Sequence, residues 1–239
     1  CVFSAAPAQG AWSLVDNFEN ETLGFIHGQT APNGQIWNVQ ENTQASIAVA
    51  VEDGSKVLSV LTDAPTYGLG YLNLATPIAE GTSGTLHYRA KLADVNVGTS
   101  CSYGVGGYDG ADTGHASKTA TVGLNNYSGG VGRAFTYSAV TGDIYTDPPY
   151  LGDWYEVWVY LDLTAANSTG YFFEAYIAGP GFDGQVQMTA SLGTVTQHAF
   201  RSYNSPNGIT AFSVYKANTT NPSPGIFVDD VYVLSLIHI

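Results

Sequence analysis

The sequence predicts an all-β chain: a sandwich or barrel of many short antiparallel strands. Clusters of Gly, Asn, Asp and Pro interrupt it roughly every 8 to 14 residues. The runs between them alternate apolar with polar residues or are rich in β-branched ones, and no window of helical length carries a clean helical period. Without a long linker, a shift in composition or an internal repeat, residues 11–234 read as one domain of about a dozen or more strands.

The turns come in order as "PNGQ", "EDGSK", "EGTSG", "YDGADTG", "YSGG", "TDPPYLGD", "TAANSTG", "GPGFDG", "NSPNG" and "NPSPG". Each supplies residues that accept turn geometry at little cost. The strand runs between them include "ASIAVAV" (45–51), "KVLSVLT" (56–62), "GTLHYRAKL" (84–92), "DWYEVWVYLDL" (153–163), "TGYFFEAYIAG" (169–179), "ITAFSVYK" (209–216) and "GIFVDDVYVL" (225–234). Side chains on a strand point alternately to its two faces. In 153–163 one row is therefore Val157, Val159, Leu161 and Leu163, and the other Trp154, Glu156, Trp158, Tyr160 and Asp162. In 84–92 the apolar row Leu86, Tyr88, Ala90, Leu92 opposes His87, Arg89 and Lys91. These mixed aromatic and charged rows are the most ligand-like surface in the chain.

Composition excludes some functions. Charged residues are 11% of the chain, against roughly 25% in ordinary soluble domains. Seven Lys and Arg against twenty Asp and Glu give a net charge of −13, a poor surface for nucleic acid or anionic lipid. Cys1 and Cys101 are expected to be unpaired, or Cys1 to be absent from the mature protein, and no CxxC spacing suggests a metal. Residues 1–10 read as the remnant of a secretory signal peptide, which places the protein outside the cell or on its surface. Residues 235–239 follow a finished strand without turn chemistry and read as a non-native tail. Neither end is long enough to insert into a membrane.

The opening "WSLVDNFE", the following "TLGFIHGQ" and "IWNV", then "GTSGTLHYRAKL", "DWYEVWVYLDL", "GYFFEAYIAG" and the closing "IFVDDVYVL" form a familiar succession. It resembles the concanavalin A-like lectin/glucanase superfamily, in particular secreted bacterial jelly rolls of the LamG-like and carbohydrate-binding kinds. The resemblance spans residues 12–234. It implies a two-sheet antiparallel β-sandwich, a jelly roll, with the first and last strands adjacent.

The enzymes of that superfamily carry signatures that this chain lacks. There is no E-x-D-x-x-E strand for glycoside hydrolysis. "HYRAKL" lacks the Glu, and "TQHAF" differs from the Q-I-H, of the alginate-lyase-like members. A lyase reading would use Arg89 against a uronate carboxylate and His87 or Tyr160 for proton abstraction; the bland alternative is an ordinary solvated row. A glycan-binding reading uses Trp154, Trp158 and Tyr160 as stacking surfaces, with Glu156, His87 and Arg89 as polar partners. Tyr103, Tyr108, Tyr127 and Tyr150 in or beside glycine-rich loops are further candidates. A structural surface or appendage subunit, capable of self-assembly, is the third reading.

Asp229 and Asp230 stand side by side in an apolar strand. Alternation puts them on opposite faces, so at least one is withdrawn from water and needs a partner. None of the seven Lys and Arg is near in sequence, which favours a hard cation. In jelly rolls of this kind a structural Ca²⁺ joins an N-terminal acidic residue to the closing strand; the resemblance places it at Glu19 and Asp229, with Asp16 and Asp230 as alternates. Hydrogen bonding within the turns is the competing account.

Overall fold

The computed structural model describes residues 10–39, 47–61, 68–93, 101–108, 118–127, 131–138, 142–146, 152–167, 170–188, 198–200, 208–216 and 224–236. These form strands and turns in two antiparallel sheets, and among them no helix is long and apolar enough to cross a membrane. Strands are numbered β1–β17 in chain order. One sheet runs β14 (Val186–Gln187), β13 (Gly170–Ala178), β12 (Trp154–Asn167), β7 (Ser83–Leu92), β17 (Pro224–Leu236), β5 (Ser55–Leu61), β4 (Ile47–Glu52), β2 (Gly24–Phe25). β1 (Ser13–Asp16) pairs with β17, and β15 (His198–Ala199) with β13. The other sheet runs β11 (Gly142–Thr146), β10 (Val131–Ser138), β9 (Lys118–Tyr127), β8 (Cys101–Tyr108), β16 (Ile209–Lys216), β6 (Gly68–Ile78), β3 (Asn38–Val39).

The inner faces interdigitate to make the core, as stacked sheets must. β12 contributes Val157, Val159, Leu161 and Leu163, and β7 contributes Leu86, Tyr88, Ala90 and Leu92. Leu72, Val105, Val122, Phe212 and Val214 meet them from the other sheet. Tyr88 carries the one polar tip of its row across the core, and its hydroxyl donates to the Val105 carbonyl at 3.1 Å. Trp37 packs against Phe18 and Phe212. The outer row of β7 departs from the solvated row expected of it at one position. Lys91 is buried, because its ammonium is drawn onto Glu52 at 2.6 Å and Asp53 at 2.9 Å in the β4–β5 turn.

The first and last strands lie side by side, with Ser13 opposite Val233 and Leu14 opposite Tyr232. Two expectations for the closing strand need correction. It does not stop at residue 234: Ser235 and Leu236 continue it opposite Gly84 and Ser83, because β7 still offers ladder partners there. Nor does it alternate throughout. Asp229 faces Arg89 and Tyr232 faces His87, so β17 holds one more residue than β7 between those pairs. Asp230 takes up the excess with φ +50°, a left-handed conformation that Asp adopts more readily than most residues.

This bulge flips the parity of the strand. Before it Ile226 and Val228 face the core; after it Val231 and Val233 do. Asp229 and Asp230 therefore both turn outward. The bulge falls where β17 changes neighbours, since β5 pairs with it only as far as Val228 and β1 takes over at Val231.

Candidate functional site

The outer face of the ten-stranded sheet gathers most of the predicted ligand-binding residues. Register sets Trp158 opposite His87, Glu156 opposite Arg89 and Tyr160 opposite Thr85. On its other edge His87 faces Tyr232, while β13 brings Tyr176 opposite Trp158 and Glu174 opposite Tyr160. His87 consequently sits among aromatic rings, 5.1 Å from Trp158 and 6.1 Å from Tyr232 between centroids, with Trp12 edge-on at 5.9 Å. Its Nε2 meets Glu156 Oε2 at 2.5 Å, which fixes the imidazole.

Two depressions mark this face. One of about 410 Å³ is lined by Trp12, His87, Trp158 and Tyr232. Another of about 540 Å³ is lined by Trp12, Thr85, Trp158, Tyr160, Glu174, Tyr176 and Gln185. Trp12 and Trp158 border both, so the two adjoin as one groove across the strands. Its polar side is held by Glu174, which accepts from the Tyr176 hydroxyl at 2.5 Å and from Gln187 Nε2 at 3.1 Å. The hydrogen bond that the phenol donates to that carboxylate pushes Tyr176 up to about 12, with burial and the nearby negative charge adding to the rise.

Trp12, Tyr232, Glu174, Tyr176 and Gln185 were not singled out from the sequence. For Glu174 and Tyr176 a signal existed: Tyr171, Phe173, Ala175 and Ile177 alternate as a buried row, leaving these two on the other. Trp12 precedes its strand and no periodicity marks it; only the pairing of Leu14 with Tyr232 brings it onto the face.

Trp154 and Arg89 stand apart from the groove. The Trp154 indole donates to Asp53 at 2.9 Å, and one of its faces is covered by the Arg89 guanidinium, 4.8 Å from the ring centroid. Arg89 lies 3.3 Å from Asp230, 3.8 Å from Asp229 and 3.6 Å from Glu156. Three carboxylates thus share one cation, and Trp154 is a lid on that cluster rather than an open stacking surface. Among the other tyrosines, Tyr108 is buried on the outer side of the second sheet beside Tyr71, Leu69, Ala211 and Tyr215. The side chains of Tyr103 and Tyr127, and all of Tyr150 and Cys1, lie outside the described residues.

The expected calcium ligands do not form a cage here. Arg89 already stands against both aspartates, while Glu19 Oε1 accepts from the Lys56 amide at 3.1 Å. Among the described residues no group of three or more His, Cys, Asp or Glu has metal-holding geometry. The partner missed along the chain is delivered by strand register, which puts Arg89 opposite Asp229.

Burial pushes the Asp229 carboxyl up to about 6, with the Asp230 charge adding to the rise and Arg89 opposing it. An acid whose pKa is higher folded than unfolded costs stability as pH rises between those two values, here from about 4 to about 6. The full cost above that window is on the order of 3 kcal/mol. Asp229→Asn removes the charge and keeps an acceptor for the Asp230 amide, which bonds Asp229 Oδ1 at 2.8 Å. Thermal melts should show the variant more stable than the parent at pH 8, with the difference closing at pH 4.

No family model matches the chain, and no curated protein matches it in sequence. Its structure is similar to several solved ones. The alginate lyase Aly36B aligns with a TM-score of 0.53 at 16% identity, over 97% of this chain and all of that one. The carbohydrate recognition domain of Emp47p aligns at 0.54 and 9% identity, over 98% of this chain and all of that one. Lectin II from Ulex europaeus aligns at 0.53 and 11% identity, over 96% of this chain and all of that one. At such identities the shared property is the architecture: the chain has the concanavalin A-like, jelly-roll lectin fold.

Proposed function

We propose that this protein is a non-catalytic carbohydrate-binding module that works outside the cell and holds a polysaccharide along the groove between Trp12 and Tyr176. The observation that carries the reading is the groove itself, in which Trp12, Trp158, Tyr160, Tyr176 and Tyr232 line adjoining depressions on one sheet face. Sugar rings present flat C–H faces that lose water on stacking against such rings, and their hydroxyls pair with carboxylate and amide groups such as Glu174 and Gln185. The neighbours of like fold include two carbohydrate-binding domains as well as a lyase, which fits this reading.

Charge favours a neutral glycan. Arg89, the one arginine on this part of the described face, is shared among Glu156, Asp229 and Asp230. Glu156 and Glu174 would then meet a uronate as like charges, which costs affinity. The test is binding by calorimetry to neutral polysaccharides (β-glucan, mannan, xylan) and to alginate and polygalacturonate. Trp158→Ala should weaken binding to the best neutral ligand by about tenfold or more. Arg89→Ala should leave that affinity within about threefold, as expected of a side chain outside the groove. Binding to alginate that is lost with Arg89, together with release of unsaturated uronates, would replace this reading with a lyase. No binding to any polysaccharide would leave the structural-subunit reading.

A further inference from the structure

The charge of the groove does more than turn a uronate away. Among the described residues no Lys or Arg lines either depression. The two basic side chains nearest in the outer row of β7 are engaged elsewhere, Arg89 with Glu156, Asp229 and Asp230, and Lys91 with Glu52 and Asp53. His87 lies in the smaller depression and is held on Glu156. The larger depression contains a carboxylate instead, Glu174, which shares its lining with Trp158, Tyr160 and Tyr176. Tyr176 and Gln187 donate to its Oε2, and both are uncharged, so they orient the carboxylate without neutralising it. Register fixes this grouping, because Glu174 stands opposite Tyr160 and Tyr176 opposite Trp158 on one face. The chain as a whole carries −13, a field that draws cations toward it.

A carboxylate among aromatic faces is suited to recognising an ammonium. The carboxylate accepts a charge-assisted hydrogen bond, and the rings attract the cation through their negative faces. A sugar with an ammonium in place of a hydroxyl meets both at once, since its C–H face still stacks on the rings. We propose that the ligand of this groove is a cationic amino-sugar polymer of the glucosamine type, with one ammonium seated against Glu174. The proposal rests on the groove holding a polysaccharide and narrows the class of that polysaccharide. Two adjoining depressions suit a chain rather than a single sugar. Glu156 already has His87 and Arg89 beside it, which makes Glu174 the anchor.

The test is calorimetry on the full chain with matched hexamers of β-linked glucosamine, N-acetylglucosamine and glucose, in mildly acidic buffer that keeps the amines protonated. The glucosamine oligomer should bind about tenfold tighter than either neutral one, the scale of one charge-assisted hydrogen bond. Added salt should shrink that preference, because it screens a pair so near the surface. Glu174→Gln should bring the ratio of glucosamine to glucose affinity down toward one, and Trp158→Ala should weaken glucosamine binding. If Glu174→Gln fails to fold, the comparison of the three oligomers on the unmodified chain decides. Glucosamine binding untouched by Trp158→Ala would mark a diffuse attraction to the acidic surface and overturn the proposal. A neutral oligomer that binds as well as the cationic one would also overturn it, while leaving the groove a glycan site. No binding of any oligomer or polysaccharide would overturn the groove reading, and this proposal with it.

Discussion

Replacing Gly208 by alanine is expected to destabilise the protein by about 4 kcal/mol. Gly208 leads into β16 with φ +77°, and a β-carbon there would be driven into the Ile78 carbonyl oxygen and to within 2.9 Å of Ala79 Cα. Both obstacles are backbone, so no side-chain rotation relieves them. The next residue, Ile209, pairs with Ile78, and the register then shifts before Ala211 meets Asn73. Gly208 therefore sets how β16 enters the second sheet against β6. Gly34→Ala is the matched comparison: its φ is +80°, but an added β-carbon meets nothing within 4 Å. That variant should cost only about 1 kcal/mol of torsional strain. Denaturant unfolding of the two variants separates the steric part from the torsional one. Equal losses would show that the β6–β16 entry is looser than described.

Arg89→Ala is the second large effect, expected to cost about 2 kcal/mol at pH 8. Truncating one partner of a buried ion pair typically costs 3–5 kcal/mol, and the third of the Arg89 side chain that meets solvent reduces this. The loss is mainly the repulsion left among Asp229, Asp230 and Glu156, with the packing on Trp154 lost as well. It should shrink as the pH falls below about 6, because Asp229 then carries a proton. In the background of Asp229→Asn, the same substitution should cost less at pH 8. Strictly additive effects in that double-mutant cycle would mean that Arg89 and Asp229 do not interact energetically.

Faces were easier to read from the sequence than neighbours. β12 and β7 show their buried and outer rows directly, because hydrophobic alternation is local and has the period of the strand itself. The same logic failed at "VDDV". The bulge that turns both aspartates outward arises where β17 passes from β5 to β1, and nothing within the strand encodes that exchange. Arg89 as their partner was hidden for the same reason, since register between β7 and β17 joins residues far apart in the chain. Trp154 looked like Trp158 on the page, both lying on one outer row. Only the position of Asp53 and Arg89 makes the first a packed lid and leaves the second lining the groove. The groove's far wall, Glu174 and Tyr176, was legible by alternation, whereas Trp12 required the docking of β1.

The position of β17 bears on how the chain is made. It is the latest of the described strands, yet it fills the middle of the larger sheet, with β7 on one side and β5 then β1 on the other. On a ribosome, β5 and β7 emerge long before the strand that joins them. Until it arrives, each exposes an unpaired ladder and an apolar inner face, the kind of edge that recruits other chains. Closure must then bring together segments that lie far apart in the chain, a search that is slow for non-local sheets. Until then the larger sheet exists as two incomplete halves, β14-β13-β12-β7 and β5-β4-β2, and it becomes continuous only when this strand slots in.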